Sequence, residues 1–292
     1  MAQPGLPYDD RDGWIWLDGE FVAWRDAKVH VLTHALHYAS SVFEGARIYG
    51  GEVFKLTDHT KRLKRSAEIL DFELPYSVEE IDRACKETVS RNGLGEGVVY
   101  LQLTRGAAER DFLPPPDLQP TLLLFTQPKM ILASPAAKRG IAIATMPDLR
   151  WARRDIKSTM LLTQVLAKRA AQAAGADDAW LVEDGFVTEG ASATALIVTQ
   201  EGVLVTRPDS QAILPGCTRA AVGALAEQDG VRVEERPFTV AEAQGAREAM
   251  ITSASTFVLP VVRIDGVDVG DGRPGPVACR LRHLYIAAAR SA

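Results

Sequence analysis

Three stretches of this 292-residue chain hold residues whose types and setting can do chemistry. Lys157 lies in "RWARRDIKSTMLL" (150–162), where an Arg-rich irregular segment gives way to an apolar helical pattern. A partly desolvated amine at such a junction can attack a carbonyl or an aldehyde. Glu189, in "GFVTEGASA", falls on the second strand of an expected hairpin, and the small residues after it leave room for something flat. In "ILPGCTRAAV" (213–222) a strand end, Gly216, Cys217 and Thr218 lead into a helix. The unpaired N–H groups and positive dipole end of such a helix suit a phosphate, and Gly216 permits close approach.

Taken singly, each feature has an ordinary explanation: a surface lysine, a solvated strand-end glutamate, a threonine N-cap. Together they supply an amine for a Schiff base, a carboxylate for a pyridinium nitrogen and a cradle for a phosphate. Those are the requirements of pyridoxal 5'-phosphate. Neither a Walker motif nor a dinucleotide fingerprint competes, because the required glycine and lysine spacings are absent.

The elements that must position these groups are readable as patterns. "WIWLDGEFVAWR" (14–25) alternates around Asp18-Gly19, and "SSVFEGARIYGGEVFKL" (40–56) around Gly50-Gly51, so both predict hairpins. A helix capped by Thr57 or Asp58 follows, then a second over 77–93. Residues 97–106 and 120–128 read as strands separated by a Pro-rich loop. Beyond them "IAIATM" is a strand, and 158–175 a periodic helix ending at a glycine, expected to hold Lys157 in place. Hairpins around Asp184-Gly185 and Glu201-Gly202, a helix at 218–230, two further strands and a closing helix complete the pattern. The expected organisation is a small α+β domain over 1–127, a linker over 128–140 where two prolines mark a shift in composition, and a larger cofactor-binding domain of mixed β-structure with helices over 141–292.

Hydrophobic residues make up 47% of the chain, enough for a sizeable core, and the net charge of −5 with interspersed signs excludes a basic nucleic-acid stripe. Cys85, Cys217 and Cys279 are odd in number and widely spaced, against a disulfide framework or a zinc site. The acidic, polar start lacks the apolar run of a signal peptide, and no stretch is long and apolar enough to span a bilayer. A cytoplasmic enzyme without membrane or nucleic-acid partners is expected.

The motifs "HALHYASSVFEGAR", "DHTKRLKRSA", "RRDIKSTMLL", "VTEGAS" and "LPGCTR" carry a resemblance. In that order, along almost the whole chain, the sequence resembles the class IV aminotransferases of the branched-chain and D-amino-acid family, fold type IV among pyridoxal phosphate enzymes. The resemblance implies that Lys157 is the Schiff-base lysine and shuttles the substrate proton. It implies that Glu189 partners the pyridine nitrogen. Arg62, Gly216, Cys217 and Thr218 are implied to hold the phosphate, with Ser255 standing beside Ala254, which replaces a phosphate-binding threonine. It also implies amino acid and 2-oxo acid substrates and a homodimer or larger assembly, in which Arg110 or residues around Val29–Leu36 act across the interface.

The substrate residues form a mosaic. Tyr38, Phe43 and Arg47 match the branched-chain pocket, although Phe43 stands where the D-specific pattern has tyrosine. Gln102 takes the place of a branched-chain arginine, whereas Arg110 matches the arginine that clamps the α-carboxylate in D-specific enzymes. A guanidinium fork suits that group. Phe112 stands where the D-specific pattern has histidine. The clamp favours a D-amino acid of the D-alanine or D-glutamate type over a branched-chain L-amino acid or an (R)-amine. A lyase of the same fold, such as aminodeoxychorismate lyase, is the nearest rival chemistry. A metal site at His30, His34 and His37 lacks a carboxylate or thiolate at ligand spacing, so no metal is expected.

Overall fold

A computed structural model describes residues 12–290, so the first eleven residues of the acidic start and the last two residues of the chain lie outside the described part. The chain divides into two compact units, one running to Lys129 and including Ile156–Thr159, the other formed by Met130–Asp155 and the chain from Met160.

The first unit is built on a six-stranded antiparallel sheet in the order β2-β1-β6-β5-β3-β4. Its strands are β1 (Trp14–Leu17), β2 (Glu20–Ala23), β3 (Ser41–Tyr49), β4 (Glu52–Phe54), β5 (Glu96–Thr104) and β6 (Thr121–Pro128). A short helix, α1 (His34–Tyr38), precedes β3; α2 (Leu56–Ile69) and α3 (Val78–Arg91) follow β4. Strand alternation sorts the side chains. Val42, Ala46 and Ile48 of β3, Val99, Leu101 and Leu103 of β5, and Leu122 and Leu124 of β6 are fully buried. They lie on the face that α2 and α3 cover with Leu63, Ala67, Ile81, Cys85 and Val89. Burial of a side chain of this kind stabilises by about 1.5–3 kcal/mol. The alternate residues, Phe43, Gly45, Tyr100, Gln102 and Phe125, are only half-buried.

The second unit holds a nine-stranded mixed sheet, β12-β11-β10-β13-β14-β7-β8-β9, with β15 paired to β14. In chain order these are β7 (Ile141–Pro147), β8 (Asp178–Glu183), β9 (Phe186–Gly190), β10 (Thr194–Val198), β11 (Leu204–Thr206), β12 (Val233–Glu235), β13 (Glu248–Ser253), β14 (Phe257–Ile264) and β15 (Val267–Asp268). Its helices are α4 (Pro135–Arg139), α5 (Leu162–Ala173), α6 (Cys217–Gln228), α7 (Val240–Gln244) and α8 (Pro276–Arg290). One core cluster joins Ile143, Trp180, Val187, Ile197 and Ile251 to Phe238 and Ala243; another joins Leu181 and Ala179 to Ala167 and Ala171 of α5.

Two helix starts differ from the sequence expectation. Helix α2 begins at Leu56 after Lys55, which adopts a left-handed φ of 56°, and Thr57 instead gives its hydroxyl to Asp82 at 2.6 Å. Helix α5 begins only at Leu162 rather than at 158, so Lys157 is not held by the expected helix starting directly after it. Among the described residues no helix is long and apolar enough to cross a membrane.

Candidate active site

Lys157 is carried by an extended segment docked on β3. Phe43 N donates to Lys157 O at 3.0 Å, Thr159 N to Ser41 O at 3.1 Å, and Ser158 bridges Val42. The Ser41 and Thr159 hydroxyls meet at 2.5 Å, and Lys157 N donates to Ser66 Oγ at 3.3 Å. Strand β4 covers β3 only from Arg47 to Tyr49, leaving the start of β3 for this pairing. Non-local backbone pairing thus overrides the helical period of the sequence. It places the Lys157 ammonium 4.3 Å from the centre of the Phe43 ring, over an aromatic face. That face continues from Phe43 to Tyr100 (5.7 Å) and Phe125 (4.8 Å). Tyr100 donates its hydroxyl to Gln102 at 2.8 Å, and burial pushes its pKa up to about 12.

Other expected residues of the first unit fall into three places. Tyr38 lies against Phe112, ring centres 5.4 Å apart, and under the Arg110 guanidinium at 5.5 Å. Arg47 is buried on the same face of β3 as Phe43, its guanidinium 3.9 Å from Glu96 and over the Tyr49 ring. Arg62 projects from α2 to Glu44, donating from Nε at 2.7 Å and Nη2 at 2.9 Å, while His59 Nδ1 lies 2.8 Å from the same carboxylate. Burial raises the Glu44 pKa, but the charge and hydrogen bonds of Arg62 and His59 outweigh it and hold the group well below the usual carboxylate range.

In the second unit, Glu189 is placed by an irregularity in its hairpin. Asp184 and Gly185 take left-handed φ values of 53° and 81°, the two-residue turn expected from the sequence. Val187 pairs with Val182, but Gly190 pairs with Trp180, so Thr188 and Glu189 together oppose the single residue Leu181. This bulge turns both side chains toward Arg150. Arg150 Nη1 donates to Glu189 Oε1, and Leu214 N donates to Oε2 at 3.3 Å. Arg150 also grips Asp148 through Nε at 2.9 Å and Nη2 at 2.6 Å. Thr188 donates to Asp148 at 2.6 Å, and Arg154 reaches it at 3.4 Å.

Helix α6 starts at Cys217 with Gly216 as N-cap and no capping side chain. Gly216 has an ordinary φ of −77°; a Cβ there would stand 2.9 Å from Thr194 Oγ1 and 3.3 Å from Arg219 Cβ, so any larger residue must displace one of them. Thr218 is buried in the first turn. Ser255 sits in the β13–β14 turn, its hydroxyl 3.4 Å from Ser253. Arg282 steadies that turn by donating to Thr256 O at 2.7 Å and Val258 O at 2.8 Å, on both sides of Phe257, which has a left-handed φ of 63°.

The donor set fits pyridoxal phosphate chemically: a half-buried amine, a buried carboxylate set against a guanidinium, and a helix start whose glycine cap leaves its N–H groups without a capping side chain. Sequence reasoning missed Asp148, Arg150, Glu44 and His59. Glu44 had a signal, since alternation from Phe43 puts it on the buried face of β3. Arg150 was legible only as one of several arginines.

The family model for amino-transferase class IV matches residues 41–264, most of the chain. D-alanine aminotransferase from Staphylococcus aureus (strain MSSA476) is 36% identical over 272 residues, covering 93% of this chain and 96% of the relative. The Bacillus licheniformis enzyme of that name is 36% identical over 265 residues, 90% and 92% of the two chains. Among solved structures, the Escherichia coli branched-chain amino acid aminotransferase superposes with a TM-score of 0.87 at 30% identity, covering 96% of this chain and 95% of that one. The T.th. branched-chain amino acid aminotransferase with pyridoxamine 5'-phosphate gives 0.89 at 33% identity, with the same coverage. Class IV aminotransferases use pyridoxal phosphate. With its fold type IV architecture, the chain belongs to this family and is a class IV aminotransferase.

Proposed function

We propose that this transaminase moves the amino group of a D-amino acid, of the D-alanine or D-glutamate type, to a 2-oxo acid. The observation that carries this reading is the cluster of Arg110, Tyr38 and Phe112, a guanidinium fork set beside aromatic walls. Gln102 is neutral and engaged with Tyr100, so the β5 position offers no second carboxylate clamp. The similarity to D-alanine aminotransferases along 93% of the chain supports the same substrate class. Exposed Val31, Leu36, Phe112 and Leu113 are apolar surface for a second copy, in keeping with a homodimer or larger assembly.

In this reading pyridoxal phosphate supplies an electron sink for charge developing at the substrate Cα. Lys157 would hold the cofactor through its amine, and the same Nζ would move the proton at the substrate Cα. The Phe43 ring beneath the amine limits its solvation. Glu189 keeps the ring nitrogen protonated. Arg62, Thr218, Ser255 and the N–H groups that follow Gly216 hold the phosphate.

The test is a half-reaction followed by absorbance, with D-alanine, D-glutamate, L-leucine and (R)-1-phenylethylamine supplied separately. Conversion by the D-amino acids is expected. Conversion by L-leucine alone would replace this reading with that of a branched-chain enzyme, for which the apolar face of Phe43, Tyr100 and Phe125 is the favouring feature. Multiple-turnover release of pyruvate and an aryl amine from aminodeoxychorismate, without any 2-oxo acid acceptor, would indicate the lyase. Borohydride reduction should fix the cofactor mass on the peptide containing Lys157 and leave Lys157→Ala unlabelled.

A further inference from the structure

We propose that Arg150 is a positioning residue that sets how tightly Glu189 holds the ring-nitrogen proton, and that Asp148 governs the strength of Arg150. The proposal rests on Glu189 being the partner of that nitrogen.

The bulge in β9 is the first observation. It spends one extra residue so that Thr188 and Glu189 both face Arg150. The second is the charge pattern. Glu189, Arg150, Asp148, Arg154 and Glu183 form a chain of alternating sign, with Arg154 Nη1 and Nη2 donating to Glu183 at 2.8 and 2.6 Å. The Asp148 side chain is fully buried and that of Arg150 is 7% exposed, so these charges interact with little screening by water. Arg207 also faces this strand, donating to Val187 O at 3.3 Å and acting on Glu183.

A carboxylate that shares its charge with a guanidinium attracts a proton less strongly. Unopposed, Arg150 would weaken the hold of Glu189 on the nitrogen. Asp148, gripped through two nitrogens, draws the guanidinium charge away from Glu189. Burial disfavours the Arg150 cation, yet Asp148 and Glu189 together raise its pKa, so it stays charged at any working pH. The guanidinium is therefore a fixed bias on Glu189, adjustable only by what opposes it. Its local geometry is equally fixed, because Arg150 N also donates to Asp148 Oδ1 at 3.2 Å as the chain leaves β7.

Removing the two partners of this chain therefore has opposite effects. Arg150→Met relieves Glu189, and the ring nitrogen keeps its proton to higher pH. Asp148→Asn frees Arg150 to lean on Glu189, and the proton leaves at lower pH. The readout is the ring-nitrogen 15N chemical shift of the holoenzyme loaded with 15N-labelled pyridoxal phosphate, titrated with pH. Shifts of about one pH unit in opposite directions are expected. Arg150→Gln, which keeps an amide donor without the charge, should follow Arg150→Met and serves if the methionine variant does not fold. Loss of packing alone would move all variants the same way. Shifts of one sign, or none, beside a clear loss of the proton in Glu189→Gln, overturn the proposal and leave the role of Glu189 standing. No change in Glu189→Gln overturns the underlying reading itself.

Discussion

Each unit of the molecule buries one glutamate against one arginine, and the two pairs are built to opposite ends. In the first unit Glu44 is wholly buried beneath β3 and takes both Nε and Nη2 of Arg62, with His59 on its second oxygen. The carboxylate there is the support and the arginine is the group proposed to meet phosphate. In the second unit Arg150 serves Glu189, and the carboxylate is proposed to meet the cofactor. The same ion pair can thus present either sign, depending on which member is tied down by further partners. Asp148, Thr188 and Arg154 tie down the Arg150 end; His59 ties down the Glu44 end.

This contrast can be broken in graded steps. Glu44→Ala strands a buried guanidinium and should cost about 3–5 kcal/mol, read from urea unfolding. Replacing both partners, Glu44→Leu with Arg62→Met, should recover most of that loss. The double variant should still bind pyridoxal phosphate weakly by fluorescence titration while binding unphosphorylated pyridoxal as the wild type does. Equal weakening for both ligands would show that Arg62 does not read the phosphate. Arg150→Met should cost less, about 1–3 kcal/mol, because Asp148 keeps Arg154 and Thr188.

The acid limb of stability sharpens the same comparison. The pKa of Glu44 is depressed in the folded protein, so its contribution is fully present above the unfolded value of about 4.3 and is lost as pH falls toward the folded one. Wild type should therefore lose up to about 1.4 kcal/mol per pH unit from this group below pH 4, and Glu44→Gln should lack that part of the slope in thermal melts. Gly216→Ala is expected to be the mildest, on the order of 1 kcal/mol, since its Cβ closely meets side-chain atoms, Thr194 Oγ1 at 2.9 Å and Arg219 Cβ at 3.3 Å, rather than backbone. Thr194→Ala should relieve it in the double variant, which would show as non-additive melting temperatures.

Much of the fold was legible. The left-handed turn pairs Asp18-Gly19, Gly50-Gly51 and Asp184-Gly185 all close two-residue hairpins, because turn chemistry is local. The helix expected over 77–93 is α3, started by a Ser77–Glu80 capping box. Where local and distant bonding compete, the reading failed. Thr57 had a better partner in Asp82 than in its own helix, and Ser158 and Thr159 found β3. Strand β12, three residues paired in parallel with β11, and the five-residue α7 were too short to leave a period.

Residue types determined the chemistry by themselves: an amine, a carboxylate, a glycine-led helix start and several guanidinium groups, in an order that marks the family. Only the tertiary structure decided what each faces. Alternation would send Val187 and Glu189 to the same side of β9, into a core cluster where a lone carboxylate is costly. One extra residue in the ladder sends Glu189 to Arg150 instead. Such a bulge depends on where the neighbouring strand places its hydrogen bonds, and no pattern within "VTEGAS" records that.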